Sequence, residues 1–201
     1  MIGVIIKRAF DIALSIVLLI LLSPIMLMSA LVILITMGRP IVFGQKRPGM
    51  YAKIITVYKF RTMTFAKDED DNLKADVMRV TKLGYWLRKL SMDELPQLFN
   101  VLIGNLSFVG PRPLLIEYLS IYSSEQARRH NVKPGITGWA QVNGRNNISW
   151  KLRLVLDVWY VDNHSLWLDF KIILLTIKKV LQQSDIGQGN TMFVDKFNGH
   201  N

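Results

Sequence analysis

The chain has 201 residues and 23.1 kDa, half of the residues hydrophobic and a mean hydropathy of +0.24: one domain, or one domain with a membrane element, too apolar for a purely soluble protein and, at 20% charged, too polar for a polytopic bundle. Lys and Arg outnumber Asp and Glu by 25 to 15, for a formal net charge of +10 and a pI near 9.9, so the surface attracts the phosphates of nucleic acid, anionic lipid or nucleotide. The lack of cysteine excludes a disulfide scaffold, thiolate metal sites and a cysteine nucleophile, and three scattered histidines (His130, His164, His200) argue against a histidine-built metal site.

The apolar excess begins early. Residues from Ile12 to Met37 carry no charge and lie between Asp11 and Arg39. As a helix this run is roughly 39 Å long, enough to cross a bilayer. It is too long for the apolar region of a signal peptide, and no A-x-A-like cleavage site follows. Two features argue against a simple span. Ser23-Pro24 falls in the middle, where proline removes a helical hydrogen bond. Both flanks are basic, with Lys7 and Arg8 before the run and Arg39, Lys46 and Arg47 after it, which places both on the cytoplasmic side. The halves are about 17 to 20 Å long, too short to cross alone. A re-entrant helix–break–helix over residues 1–40 satisfies both facts better than a kinked spanning helix. Residues 41–201 then form a cytoplasmic domain at the membrane interface.

Two short strands around a Pro-Gly turn are predicted in 41–60. Residues 65–77 hold five acids and no apolar period, as expected of a surface excursion. Helices are predicted over Val80–Leu90 and Met92–Ile103, separated at Ser91, with Gly104 as the C-terminal cap of the second. Proline and glycine punctuate 106–146 around a short helix near 114–129. The last strong helix, about Ser165–Gln183, aligns Leu166, Phe170, Ile173, Leu174, Ile177 and Leu181 on one face. That face suits either a membrane surface or the domain core.

The phosphate-binding and hydrolase signatures built on glycine-rich loops, a serine elbow or a zinc-binding helix do not occur. The informative segment is Arg88-Lys-Leu-Ser-Met-Asp-Glu-Leu-Pro-Gln97. Ser91 and Glu94 fit a capping box, which sets Asp93 and Glu94 in a first helical turn, an arrangement equally common for structural reasons alone. Pro96 makes that turn irregular. An ionised Asp there can attack phosphorus if a divalent cation offsets the charge, and Mg²⁺ suits oxygen ligands and a phosphate substrate. Arg112, between Pro111 and Pro113, has its backbone fixed, which suits anion binding but is as well explained by an exposed turn with an incidental arginine. Lys59 near the end of the second strand is a further phosphate candidate, and the segment from Lys133 to Arg145 suits a shaped binding loop.

The strings Tyr58-Lys-Phe-Arg-Thr-Met63, Asp93-Glu-Leu-Pro-Gln-Leu-Phe-Asn100, Phe108-Val-Gly-Pro-Arg-Pro113 and Pro134-Gly-Ile-Thr-Gly138 through Arg145, with the Ser23-Pro24 break, resemble those of the small monotopic phosphoglycosyl transferases of the bacterial sugar transferase family. The likeness is nearest to members that begin protein N-glycosylation and extends to Lys196-Phe-Asn-Gly199. It implies transfer of a phospho-sugar from a UDP-sugar to undecaprenyl phosphate, with release of UMP. It further implies Asp93 as nucleophile and Mg²⁺ ligand, and Glu94 as its partner in proton transfer or positioning. Lys59, Arg88 and Arg112 would bind phosphates, Arg145 the nucleotide, and Asp157 would anchor the basic network. Residues 65–77 and Trp139 depart from the family pattern, so the resemblance does not specify the sugar.

The expected architecture is α+β: an N-terminal re-entrant membrane element, then a small helical, loop-rich catalytic domain with a short β-hairpin and interfacial helices. Membrane lipid is an expected partner and nucleic acid is not, since an RNA-binding module leaves the apolar run unexplained. A non-enzymatic membrane scaffold explains that run but not the loops around Asp93, Arg112 and Arg145. Direct transfer with Glu94 as base stays open, as does the oligomeric state, a homo-oligomer included.

Overall fold

A computed structural model describes residues 2–144, 148–182 and 196–199. Its first element is one helix, α1 (Ile2–Met37), about 54 Å long if straight. Much of its surface has no protein against it, and Ile20, Leu27 and Ile35 are among the most exposed apolar side chains of the molecule. The helix continues through Ser23 and Pro24, where the sequence predicts a gap between two helices. Pro24 has no N–H to give the Ile20 carbonyl four residues back. The Ser23 hydroxyl donates to that carbonyl instead, at 2.8 Å, so the acceptor is satisfied inside an apolar element.

Both ends of α1 are fastened to the remainder of the chain. Lys7 pairs with Asp169 and donates to the Val109 carbonyl, while Arg8 donates to the carbonyls of Val101 and Leu102 at 2.6 and 2.8 Å. Asp11, buried, accepts from Ser107 Oγ and the Phe108 N–H. At the far end the buried Arg61 donates to the carbonyls of Met37, Gly38 and Arg39, a cation at the negative terminus of a helix. Between these anchors Leu14, Leu18 and Leu22 pack on a core that includes Val57, Leu98, Val101 and Ile172. Further along, Ile33 is enclosed with Phe60 and Leu87.

The two predicted strands form an antiparallel hairpin, β1 (Val42–Pro48) with β2 (Ile54–Phe60), in which Val42 pairs with Phe60 and Pro48 with Ile54. The acidic stretch is an exposed excursion leading to α2 (Asp76–Arg79). Helix α3 (Lys82–Lys89) starts at Thr81, whose side chain accepts from the Gly84 N–H. A Cβ on Gly84 would stand 1.9 Å from the Thr62 carbonyl oxygen, so glycine is what lets α3 touch the end of the hairpin. Helix α4 (Gln97–Ile103) ends at Gly104, φ 91°, the left-handed cap predicted for it.

A second pair of strands is not predicted: β3 (Ser107–Val109) runs parallel to β4 (Gly135–Thr137). Gly110, Gly135 and Gly138 bring the two backbones together, since a Cβ at any of them would lie within 2.3 Å of the opposing main chain. Between the strands, two 3₁₀ turns (Ile116–Ser120 and Arg128–Asn131) flank α5 (Ser124–Ala127), in place of the single predicted helix. Then follow α6 (Trp139–Val142), α7 (Trp150–Asn163) and α8 (Leu166–Leu181), of which α7 is also unpredicted. Helix α8 buries Leu168 and Ile172 and leaves Leu166, Phe170, Leu174 and Ile177 exposed. The apolar face read from the sequence therefore turns outward, and the core contact is made by a second one. At the other end of the chain, Phe197 packs among Tyr118, Tyr122 and Trp150.

Candidate active site

Asp93 and Glu94 lie in a 3₁₀ turn, Met92–Glu94, between α3 and α4. The predicted capping box does not form. Ser91 has φ 55° and ψ 19° and makes no side-chain cap, because the chain must reverse between two short helices within a few residues. A left-handed serine carries backbone strain, held here by the packing on either side. Pro96 then stands immediately before α4, which explains why the acids sit in a tight turn and not in that helix.

The position of this turn is set by Asn100. Its Nδ2 donates to the Thr56 carbonyl at 2.7 Å and its Oδ1 accepts from the Tyr58 N–H at 2.9 Å, so α4 is registered on β2 by a side chain imitating a strand. Lys59, the next residue on β2, consequently meets the acids. Its Nζ is 2.6 Å from Glu94 Oε1 and 3.9 Å from Asp93 Oδ2. Arg112 reaches Glu94 from the other side, with Nη2 2.5 Å from Oε1 and Nη1 3.4 Å from Oε2, a forked clasp on one carboxylate.

These neighbours divide the two acids. Burial raises Glu94, but Arg112 and Lys59 together outweigh it and hold its carboxyl well below the usual range. Asp93 has no such clasp. Burial first, and the Glu94 charge second, push it up to about 6, against the opposing pull of Lys59, Arg112 and Arg88. Glu94 is the fixed anion and Asp93 the group whose charge is poised near neutral pH.

Arg88 donates Nε to Thr62 Oγ1 at 2.9 Å, an alignment that depends on the close approach at Gly84. Asp157 is nearly inaccessible and faces Arg129, which contacts it through Nε and Nη2 at 3.1 and 2.7 Å. The same Nη2 donates to the main-chain carbonyl of Arg112 at 2.6 Å. Asp157 thus acts behind the site: it holds Arg129, and Arg129 holds the turn that carries Arg112. Arg145 lies outside the described residues.

Three residues of this region have no signal in the sequence pattern. Arg129 falls at the end of the short helix predicted near 114–129 and carries no functional mark there. Arg47 reads only as a flank of the apolar run, yet burial and then the Arg112 charge depress its pKa. Arg153, similarly depressed by burial, stands over the Trp150 ring at 4.4 Å. A shallow apolar groove of about 410 Å³ is lined by Pro24, Ile25 and Met28 of α1 and by Leu83, Trp86, Leu90 and Met92, the last of these the residue before Asp93.

Among the described residues no three His, Asp or Glu side chains gather as a metal cage. With both Glu94 oxygens engaged by cations, Asp93 is the carboxylate open to a metal. One carboxylate completed by water and substrate phosphates is how Mg²⁺ is commonly held, so the donor set fits that ion.

A profile of the bacterial sugar transferase family matches residues 2–183. The chain is 55% identical over 195 residues to an uncharacterized sugar transferase, EpsL, of Bacillus subtilis, covering 97% of this chain and 96% of that protein. It is 45% identical over 188 residues to a UDP-glucose:undecaprenyl-phosphate glucose-1-phosphate transferase of Klebsiella pneumoniae, and 40% identical over 196 residues to an undecaprenyl-phosphate galactose phosphotransferase of Salmonella typhimurium. Those two alignments take in 89% and 88% of this chain but 40% of each relative, so the chain spans less than half the length of these two larger transferases. On the extent of the match and the level of identity, the chain belongs to the bacterial sugar transferase family.

Proposed function

We propose that this transferase moves a sugar phosphate from a UDP-sugar to undecaprenyl phosphate through a covalent intermediate on Asp93. The relatives named for undecaprenyl-phosphate glucose and galactose phosphotransfer support the substrate classes. The observation that carries the mechanism is the division of two adjacent carboxylates into a clasped anion and a poised one. In the first step an Asp93 carboxylate oxygen attacks the phosphorus bearing the sugar, and the bond from that phosphorus to the UMP oxygen breaks. UMP leaves with the electron pair. In the second step an oxygen of the lipid phosphate attacks the same phosphorus and returns Asp93 as a free carboxylate.

Lys59, Arg88 and Arg112 gather the phosphates in both steps. Glu94 keeps Lys59 and Arg112 extended toward Asp93. A carboxylate clasped by two cations and held far below neutral pH is a poor proton acceptor, which argues against direct transfer with Glu94 as base. Mg²⁺, when held by Asp93 and the donor's phosphates, would offset the repulsion between the anionic nucleophile and its target. The shallow apolar groove whose lining includes Met92, the residue before Asp93, is the place proposed for the isoprenoid chain of the acceptor.

Residues 1–40 are read as the membrane element and 41–201 as the catalytic domain on the cytoplasmic face. Lys7, Arg8 and Asp11 at one end of α1, and residues 37–39 at the other, bind the same domain. A helix tied at both ends to a single body supports entry and exit through one leaflet, with Ser23-Pro24 as the proposed place for α1 to bend in the membrane. The deciding experiment incubates stoichiometric enzyme with a panel of UDP-sugars and Mg²⁺ before any lipid is added. An accepted donor should release roughly one UMP per site. A complete dependence of UMP release on undecaprenyl phosphate would refute the covalent intermediate.

A further inference from the structure

Away from Asp93, two cations meet over Gly104, where α4 ends. A Cβ built on Gly104 would lie 3.1 Å from Arg8 Nη2 and 3.5 Å from Lys133 Nζ, so both charges bear on one point. Lys7 is neutralised by Asp169, and Arg8 is hydrogen-bonded to two carbonyls and makes no ion pair among the described residues. Lys133 makes no side-chain hydrogen bond or ion pair among the described residues. Its ammonium is pushed down first by burial and then by Arg8, against the opposing charge of Asp11, whose carboxylate is shared with Ser107 and the Phe108 N–H. Beside the two cations a groove of about 450 Å³ follows the first turns of α1, walled by Val4, Ile5, Ala9 and Ile12. Val4 and Ile5 are 68% and 67% exposed there.

A shallow apolar strip on α1 with two cations at its edge, against the single nearby carboxylate of Asp11, is the complement of an amphiphile with an anionic head. We propose that it binds an anionic glycerophospholipid, the phosphodiester between Lys133 and Arg8 and an acyl chain along Val4, Ile5 and Ile12. This place is distinct from the one proposed for the acceptor: Asp93 precedes α4, whereas this pair follows it, and the groove proposed for the isoprenoid chain is lined by other residues, among them Pro24, Trp86 and Met92. An anion without a tail would leave the apolar wall uncovered. Bound in this way, the lipid would hold the start of α1 at headgroup level.

The test uses the full chain in mild detergent with equal amounts of phosphatidylglycerol and phosphatidylcholine of the same acyl length, and counts retained lipid by native mass spectrometry. The parent protein should retain phosphatidylglycerol preferentially. Lys133→Ala should lower that retention about fivefold, the effect of one cation at an anionic surface, and Lys133→Glu should lower it further. Lys133→Arg should keep it, which separates lost charge from a damaged fold. Equal phosphatidylglycerol retention by parent and Lys133→Glu overturns the proposal, as does an equal loss of both lipids. Competition by glycerol 3-phosphate as effective as that by the lipid would show a small-anion site instead. None of these readouts depends on turnover.

Discussion

Asp93 and Glu94 are neighbours in the chain with opposite electrostatic fates, and the difference can be measured. In the proposed mechanism the ionised form of Asp93 is the reactive one, so kcat/KM should rise with pH through about 6 and level off above it. An acid limb near 4, the ordinary carboxylate value, would count against the buried, like-charged setting of Asp93. Glu94→Gln should move the limb downward, because it removes the adjacent negative charge and frees Lys59 and Arg112 to face Asp93. The same shift acts on folding. The folded protein binds the Asp93 proton more tightly than the unfolded chain does, so this group's contribution to stability is present below about 4 and is lost as pH rises through about 6. Asp93→Asn keeps the neutral form at every pH. It should lower turnover by at least about 10³-fold while stabilising the protein at pH 7.5 by about 1–3 kcal/mol, seen as a higher Tm. An unchanged or lower Tm would show that Asp93 is not destabilising where it sits.

The elements position these groups through backbone proximity more than through side-chain bulk. Gly84→Ala places a methyl against the Thr62 carbonyl and forces α3 away from the hairpin. It should cost about 1–3 kcal/mol of stability and misplace Arg88, raising KM for the UDP-sugar. A variant with parental Tm and KM would mean that α3 shifts without consequence. The sequence marks this hairpin clearly, because apolar runs on both sides of a Pro-Gly turn allow few other arrangements. It does not mark β3 and β4, three-residue strands that are rich in glycine or adjoin proline and are too short for any alternation to register. Helix α7 is illegible for another reason. Leu154, Val158 and Tyr160 are buried while Leu152, Val155 and Trp159 are exposed, so apolar residues surround its axis and no stripe stands out. The capping box fails at Ser91 because the turn's geometry is imposed by its neighbours, and a local pattern carries no record of them.

For the whole molecule, the decisive quantity is the side of the membrane on which each end of α1 lies. The chain has no cysteine, so Gly3→Cys and Arg39→Cys report without background. An impermeant thiol reagent outside intact spheroplasts should label neither, and both should react after lysis. Labelling of either position from outside would make α1 an ordinary spanning helix. The convergence of Lys59, Asp93, Glu94 and Arg112, drawn from three of the four short strings, was legible through the resemblance. The supporting layer was not. The partnership of Asp157 with Arg129, and the hold of Arg129 on the Arg112 carbonyl, join segments far apart in sequence that share no pattern.

Gly110, Gly135 and Gly138 have a practical consequence for engineering. At these contacts two lengths of main chain press directly on each other, with no side chain between them to absorb an error. The turn that presents Arg112 therefore inherits its coordinates from a stretch more than twenty residues downstream, and the two behave as one cast part. A chimaera that imports residues 108–113 from another transferase, to change donor preference, should misplace its arginine unless 133–138 travels with it. Swapping the two stretches together should restore turnover to within the range of the parents.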